Sequence, residues 1–263
     1  MANLAKRHID ALICIGGDGT MASAAAFAKK GLTVMGVPKT IDNDVWGTDI
    51  TFGFNTAVTT ATEAIDKIHT TASSHHRVMI IEVMGRYAGW IALHAGVAGG
   101  SDVILMPEMP YQLEKIADFT LDRSKKGRRF SIITVAEGAK PEGGKQVVHE
   151  TVKDSPDPVR LGGVSGVLAD QLAKTTGLSC RAVNLGHVQR GGSPTPFDRV
   201  LATNFGHHAL EMLMKGQANQ LIVWKEGKLD AVPLRRIAGK IKTVKKNDPL
   251  IRAAKAVGTN FGV

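Results

Sequence analysis

Ala11-Leu12-Ile13-Cys14-Ile15-Gly16-Gly17-Asp18-Gly19-Thr20, with a second polar corner at Pro38-Lys39-Thr40-Ile41-Asp42-Asn43-Asp44, decides the fold of this chain. The apolar run Ala11–Ile15 reads as a buried strand and the Ala-rich stretch Met21–Lys30 as a helix, so the glycines join a strand to a helix N-terminus. Unpaired backbone N–H groups at such a junction, together with the positive end of the helix dipole, make a site for phosphate oxygens. Glycine is expected there because a side chain would hold the anion away and because the turn can demand positive φ. Asp18 then adds a carboxylate suited to a hydrated Mg²⁺ beside the phosphates. The plainer alternative is a tight connection with Asp18 as a helix cap. The second corner also follows an apolar strand, Leu32–Val37, and brings Thr40, Asp42 and Asp44 to the same end of the same sheet, where ligands of open α/β sheets bind.

At 263 residues and 43% hydrophobic content, the chain can bury the core of one large or two smaller domains. No apolar run reaches membrane-spanning length and the first residues lack a secretion signal, so a cytoplasmic address and no membrane partner are expected. The formal charge of +9 admits a polyanionic small molecule or a nucleic acid. With 5% aromatic residues, no basic run is interleaved with stacking side chains, which disfavours nucleic acid. The basic run Arg235–Lys246 has the pattern of a solvated tail. Cys14 and Cys180 lie far apart in separate strands and read as small core residues.

Beyond Asp44 the chain alternates. Thr59–His69 has helical spacing, Val78–Val83 is a strand, Tyr87–Val97 a helix, Val103–Met106 a strand, Leu113–Lys125 a helix and Phe130–Ala136 a strand. This is the rhythm of a doubly wound parallel sheet. Residues 138–159 break it as an exposed loop with a short hairpin near Lys145–Val148. Helix returns at Val164–Lys174, strand at Arg181–Leu185, helix at Phe197–Met214, a hairpin over Gln220–Val232 and a last helix at Pro249–Val257.

Thr40, Asp42, Arg86, Glu137, His187 and Arg190 all fall just after apolar strands. Asp42 suits a base for a hydroxyl nucleophile and Arg86 suits stabilising a transferring phosphoryl group. Glu137 has no cationic neighbour in sequence, which favours a sugar hydroxyl as its partner. Each residue taken singly also has a structural reading: turn formers for Asp42 and Asp44, a surface arginine, a satisfied core histidine for His187. Gly162-Gly163-Val164-Ser165-Gly166 has its second glycine one position too early for a nucleophile elbow, so a serine hydrolase is disfavoured.

The motifs Gly-Gly-Asp-Gly-Thr, Pro-Lys-Thr-Ile-Asp-Asn-Asp, Glu82-Val83-Met84-Gly85-Arg86, Ala136-Glu137-Gly138 and Gly186-His187-Val188-Gln189-Arg190-Gly191-Gly192 occur in the order and at the spacing of the 6-phosphofructokinases, which the chain resembles over its whole length. The resemblance implies an α/β protein of two doubly wound parallel-sheet domains, residues 1–53 plus 189–240 for nucleotide and 54–188 plus 241–263 for sugar phosphate. It implies ATP-dependent phosphorylation of fructose 6-phosphate at its 1-hydroxyl, in glycolysis, with Mg²⁺. Asp42 would be the base, with Thr40 and Arg86 on the transferring group. Asp18 and Asp44 would organise the metal, and Gly17, Asp18, Gly19 and Thr20 would line the nucleotide phosphates. Ile41, Met84, Gly85, Glu137, His187, Val188, Gln189 and Arg190 would bind the sugar phosphate. Arg77 and Arg181 would reach a neighbouring subunit's substrate, which implies a homodimer or homotetramer.

Diphosphate-using relatives carry Asp where this chain has Gly19, and that charge would repel the α-phosphate of ATP; Lys39, in contrast, is the residue those relatives carry. The combination is similar to the mixed branch of the family, and ATP is the expected donor. Family members begin with a further strand and glycine-rich turn, so a first domain lacking its N-terminal strands is expected. The alternatives are a diphosphate-dependent enzyme and an inactive or regulatory fragment that binds sugar phosphate. His69 stands where an effector site usually has arginine, near Lys126, Arg128 and Asp102, so allosteric control is not expected.

Overall fold

The computed structural model describes residues 2–151 and 158–263. In chain order the elements are α1 (Ala2–Ala5), β1 (Ala11–Gly16), α2 (Asp18–Lys29), β2 (Thr33–Thr40), β3 (Phe52–Gly53), α3 (Phe54–His75), β4 (Val78–Val83), α4 (Trp90–Ala98), β5 (Val103–Leu105), α5 (Leu113–Lys125) and β6 (Ser131–Ala136). There follow β7 (Val148–Thr151), β8 (Val159–Leu161), α6 (Val164–Thr176), β9 (Cys180–Asn184), α7 (Pro196–Met214), β10 (Gln220–Lys225), β11 (Lys228–Pro233) and α8 (Pro249–Ala256). The chain divides into two compact units, Met1–Thr56 with Ser193–Lys242 and Ala57–Gly192 with Thr243–Val263.

In the first unit the strand order is β1-β2-β10-β11, with β3 beside the end of β2. β1, β2 and β10 run parallel, and β11 returns as the hairpin partner of β10. Alternate residues face opposite sides, as strand geometry requires. Val34, Leu12 and Cys14 pack with Met21 and Ala24 of α2 on one face, while Met35, Val37 and Ile222 pack with Leu201, Phe205 and Ala209 of α7 on the other. Helices therefore cover both faces. β1 is the sheet edge, and its Ile13 and Ile15 are 38% and 55% exposed.

The second unit is a parallel sheet of order β5-β6-β4-β9. β4 and β6 are buried along their whole length, which explains their predominantly apolar sequences; Glu82 in β4 and Ser131 and Thr134 in β6 are buried polar exceptions. Val78, Ile80, Ile133 and Val135 pack against Ile116 of α5 and Leu168 and Leu172 of α6. On the opposite face α4 comes close enough that a Cβ on Gly96 would meet Ile104 at 2.7 Å. β7 pairs antiparallel with β8, so the expected hairpin runs from Val148 rather than ending there; its connection lies outside the described residues. Among the described residues no helix is long and apolar enough to cross a membrane.

Candidate active site

In the first unit, β1 and β2 are parallel in the register Gly16↔Pro38, so both polar corners leave the same end of the sheet. They lie side by side, since a Cβ on Gly17 would meet the Thr40 Cβ at 3.5 Å. The helix begins at Asp18, three residues earlier than its Ala-rich body indicates, with Gly17 as N-cap at φ −84° and no side-chain cap. Gly17 thus gives the first-turn N–H groups of Asp18, Gly19 and Thr20 no side-chain cap, which favours receiving an anion.

Positive φ, expected of this turn, is absent: Gly16, Gly17 and Gly19 are not among the left-handed residues. Gly16 is needed for proximity instead, because its Cβ would fall 2.2 Å from the Thr20 Oγ1. Gly19 has open space where a Cβ would stand. Asp18 is half-buried at the first helical position, where a carboxylate favours the helix dipole.

The second corner is more enclosed. Asp42, Asn43 and Asp44 are 5%, 3% and 4% exposed. Thr40 Oγ1 donates to Asp42 Oδ2 at 3.2 Å and accepts the Asp42 N–H at 3.2 Å, fixing the acid against the strand end. Asn43 is left-handed, φ 51°, and its Oδ1 accepts from Thr51 N at 3.0 Å. Thr51 Oγ1 closes the loop onto the Thr40 carbonyl at 2.8 Å.

Lys242, assigned from its charged surroundings to a solvated tail, is half-buried. Its Nζ donates to Asn43 Oδ1, the Thr48 carbonyl and the Asp49 carbonyl at 3.0, 2.9 and 2.8 Å. Burial lowers its pKa to about 8, opposed by the carboxylates of Asp49 and Asp44. Composition hides such a lysine, because the residues around it, Arg235, Arg236, Lys240, Lys245 and Lys246, are exposed.

In the second unit, β4 ends in a turn with Gly85 at φ 135° and Arg86 at φ 51°, closed by Ala88 N donating to the Gly85 carbonyl at 3.0 Å. The turn delays the helix expected from Tyr87 until Trp90. Glu137, beyond the end of β6, has a partner that the sequence did not reveal: its Oε1 accepts the Arg86 N–H at 2.9 Å. Gln189 is 1% exposed, with Oε1 accepting from Met84 N at 3.3 Å and Nε2 donating to the Gly186 carbonyl at 3.1 Å. His187, Val188 and Arg190 are exposed on the same 3-10 turn, so His187 is not a core histidine. Arg181 is exposed and donates to the Cys180 carbonyl at 2.7 Å, while Arg77 is half-buried.

Glu82, buried at 2%, is a further acid within β4. It accepts from Gly163 N, Ser165 N, Ser165 Oγ and Asn184 Nδ2 at 2.9, 2.9, 2.8 and 3.1 Å. Those bonds occupy Ser165 and give the Gly-Gly-Val-Ser-Gly stretch a structural purpose, capping α6 with a buried carboxylate.

Glu108 receives Gly89 N and Val244 N, each at 2.9 Å, and burial raises its pKa against those bonds. Asp102 is engaged by Arg123 at 2.7 Å and by Ile132 N at 2.9 Å, and His69 bonds the Gly99 carbonyl at 2.9 Å. Cys180 is buried, which raises its thiol to about 11; Cys14 is only half-buried, because β1 is an edge.

Residues 1–213 match the family described as Phosphofructokinase. The chain is 49% identical over 260 residues to ATP-dependent 6-phosphofructokinase 2 of Clostridium perfringens, covering 98% of this chain and 71% of that one. It is 51% identical over 243 residues to a pyrophosphate--fructose 6-phosphate 1-phosphotransferase of Amycolatopsis methanolica, covering 92% and 71%. Its fold is similar to that of phosphofructokinase from Saccharomyces cerevisiae, with a TM-score of 0.78 at 32% identity over 90% of this chain; it spans 33% of the yeast chain.

Proposed function

The chain belongs to the phosphofructokinase family, and from that premise we propose that it transfers the γ-phosphoryl group of ATP to the 1-hydroxyl of fructose 6-phosphate, giving fructose 1,6-bisphosphate and ADP. The observation that carries this reading is the pairing of the two corners of the first unit. An uncapped helix N-terminus at Gly17–Thr20 lies against a strand end that holds the enclosed carboxylate of Asp42. Asp42 takes the proton of the 1-hydroxyl, the freed oxygen bonds to the γ-phosphorus, and the bond from that phosphorus to the ADP oxygen breaks. The backbone of Gly17, Gly19 and Thr20 holds nucleotide phosphates, while Thr40 and Arg86 hold the group in transfer.

Mg²⁺ would neutralise charge on the polyphosphate. Among the described residues no cluster of three or more His, Cys, Asp or Glu is placed to hold a metal ion. Mg²⁺ generally keeps several waters and is bound through one or two carboxylates plus substrate phosphates. Asp18 at the helix start, with Asp44 from the second corner, supplies the carboxylates.

In the second unit, exposed His187 and Arg190 bind the sugar phosphate, together with Met84, Gly85 and Val188. Glu137 and Gln189 act there by holding the Arg86 and Met84 backbone. Arg77 and Arg181 serve the substrate of a second subunit in a homodimer or homotetramer, and a glycolytic role favours a cytoplasmic address.

ATP is favoured as donor because Gly19 leaves room and no charge at the first helical turn. The second reading, diphosphate as donor, is favoured by Lys39 and by the Amycolatopsis relative's name. An assay of fructose 1,6-bisphosphate formation with ATP or with diphosphate, at equal Mg²⁺, separates them. Faster turnover with ATP supports the proposal, faster turnover with diphosphate supports the second reading, and no product with either overturns both.

A further inference from the structure

We infer that Lys242 is a positioning residue for the catalytic carboxylate: its ammonium fills the loop between Asn43 and Asp49 and fixes the backbone from which Asp42 projects. The inference rests on the proposed role of Asp42.

The loop from Thr40 to Thr51 folds back on itself without regular structure between Ile41 and Ile50. Its inward-facing acceptors therefore need donors from elsewhere. A protonated lysine has three N–H bonds to give, and the three recipients are Asn43 Oδ1, the Thr48 carbonyl and the Asp49 carbonyl, all within 3.0 Å. The same residue's main-chain N–H donates to the Asp44 carbonyl at 2.7 Å, and its neighbour Ile241 bridges Val45.

Asn43 is the pivot. It holds a left-handed backbone between Asp42 and Asp44, a conformation that costs energy and needs support from its surroundings. Its side chain is gripped from two sides, by Thr51 N and by Lys242 Nζ. Charge adds to geometry, since the carboxylates of Asp49 and Asp44 face the ammonium and favour it there. A neutral side chain of the same length would take the ammonium donor from both carbonyls, leaving the Asp49 carbonyl only the long bond from Asn43 Nδ2 at 3.5 Å, and remove the positive charge beside Asp44.

The test is hydrogen exchange of residues 41–51 alongside steady-state kinetics, on the full chain, for Lys242→Met and for Lys242→Ala with and without ethylammonium. Exchange in Lys242→Met is expected to quicken about tenfold in this loop while β4 and β6 keep their protection. The expected kcat falls about tenfold to a hundredfold, with the KM for fructose 6-phosphate changed less than about twofold. Ethylammonium is expected to restore protection and turnover in Lys242→Ala, whereas tetramethylammonium, which has no N–H, is not. Loop exchange within about twofold of the parent protein would overturn the inference, as would a loss of protection throughout the chain that ethylammonium does not reverse. If the parent protein itself transfers no phosphoryl group, the proposed function fails while loop exchange still decides whether Lys242 orders these residues.

Discussion

The Oε1 atom of Glu137 accepts the backbone N–H of Arg86 at 2.9 Å, so an acid at the end of one central strand holds a left-handed arginine at the end of its neighbour. The next residue enforces the same contact by size. A Cβ on Gly138 would fall 2.0 Å from the Arg86 carbonyl oxygen, so nothing larger than hydrogen fits. Gly138→Ala is expected to push the Arg86 turn away and lower kcat/KM about a hundredfold, with the circular dichroism of the folded protein retained. Glu137→Gln, which keeps an acceptor oxygen, is expected to retain more activity than Glu137→Ala.

Donor selection is testable at Gly19. The site has room for a side chain and its φ is not positive, so Gly19→Asp adds a charge with little steric effect. A carboxylate at the helix turn proposed to hold the phosphates would repel the nucleotide, and the KM for ATP is expected to rise about tenfold or more while thermal stability stays within a few degrees. Unchanged ATP kinetics in Gly19→Asp would remove the physical basis for favouring ATP.

Glu82, which has no assigned part in the reaction, is expected to matter for stability. Its carboxylate satisfies four donors in a fully buried strand, and Glu82→Ala leaves those donors without partners. A loss of about 2–4 kcal/mol is expected from urea unfolding followed by circular dichroism. Ser165→Ala removes one of those bonds alone and is expected to cost about 1 kcal/mol.

The alternation of apolar runs with helical spacing made the parallel sheets legible, because strands buried on both faces have no polar register to obscure them. Both corners were legible from the apolar runs they follow, Ala11–Ile15 and Leu32–Val37, although β1 is a partly exposed edge rather than the buried strand its sequence suggests. What remained hidden was partnership across long separations. Glu137 carries no trace in its neighbours of the Arg86 N–H 51 positions away, and Lys242 is camouflaged by exposed lysines and arginines of identical composition. Glu82 did leave a signal, a lone acid inside an otherwise apolar strand, which demands buried donors. The Gly-Gly-Val-Ser-Gly stretch supplies three of the four, and its sequence shows only a near-miss to a nucleophile turn. The need for glycine at position 16 was legible, but its cause, the nearness of Thr20, belongs to the folded helix.

The central claim is that Asp42 removes the proton of the sugar's 1-hydroxyl, and single-turnover transfer from γ-labelled ATP to fructose 6-phosphate tests it most directly. Asp42→Asn keeps an oxygen beside Thr40 and the shape of the loop, so label is expected to reach fructose 1,6-bisphosphate about 10²- to 10⁴-fold more slowly than in the parent protein, with sugar binding retained. Transfer by Asp42→Asn at the parent rate would contradict the account.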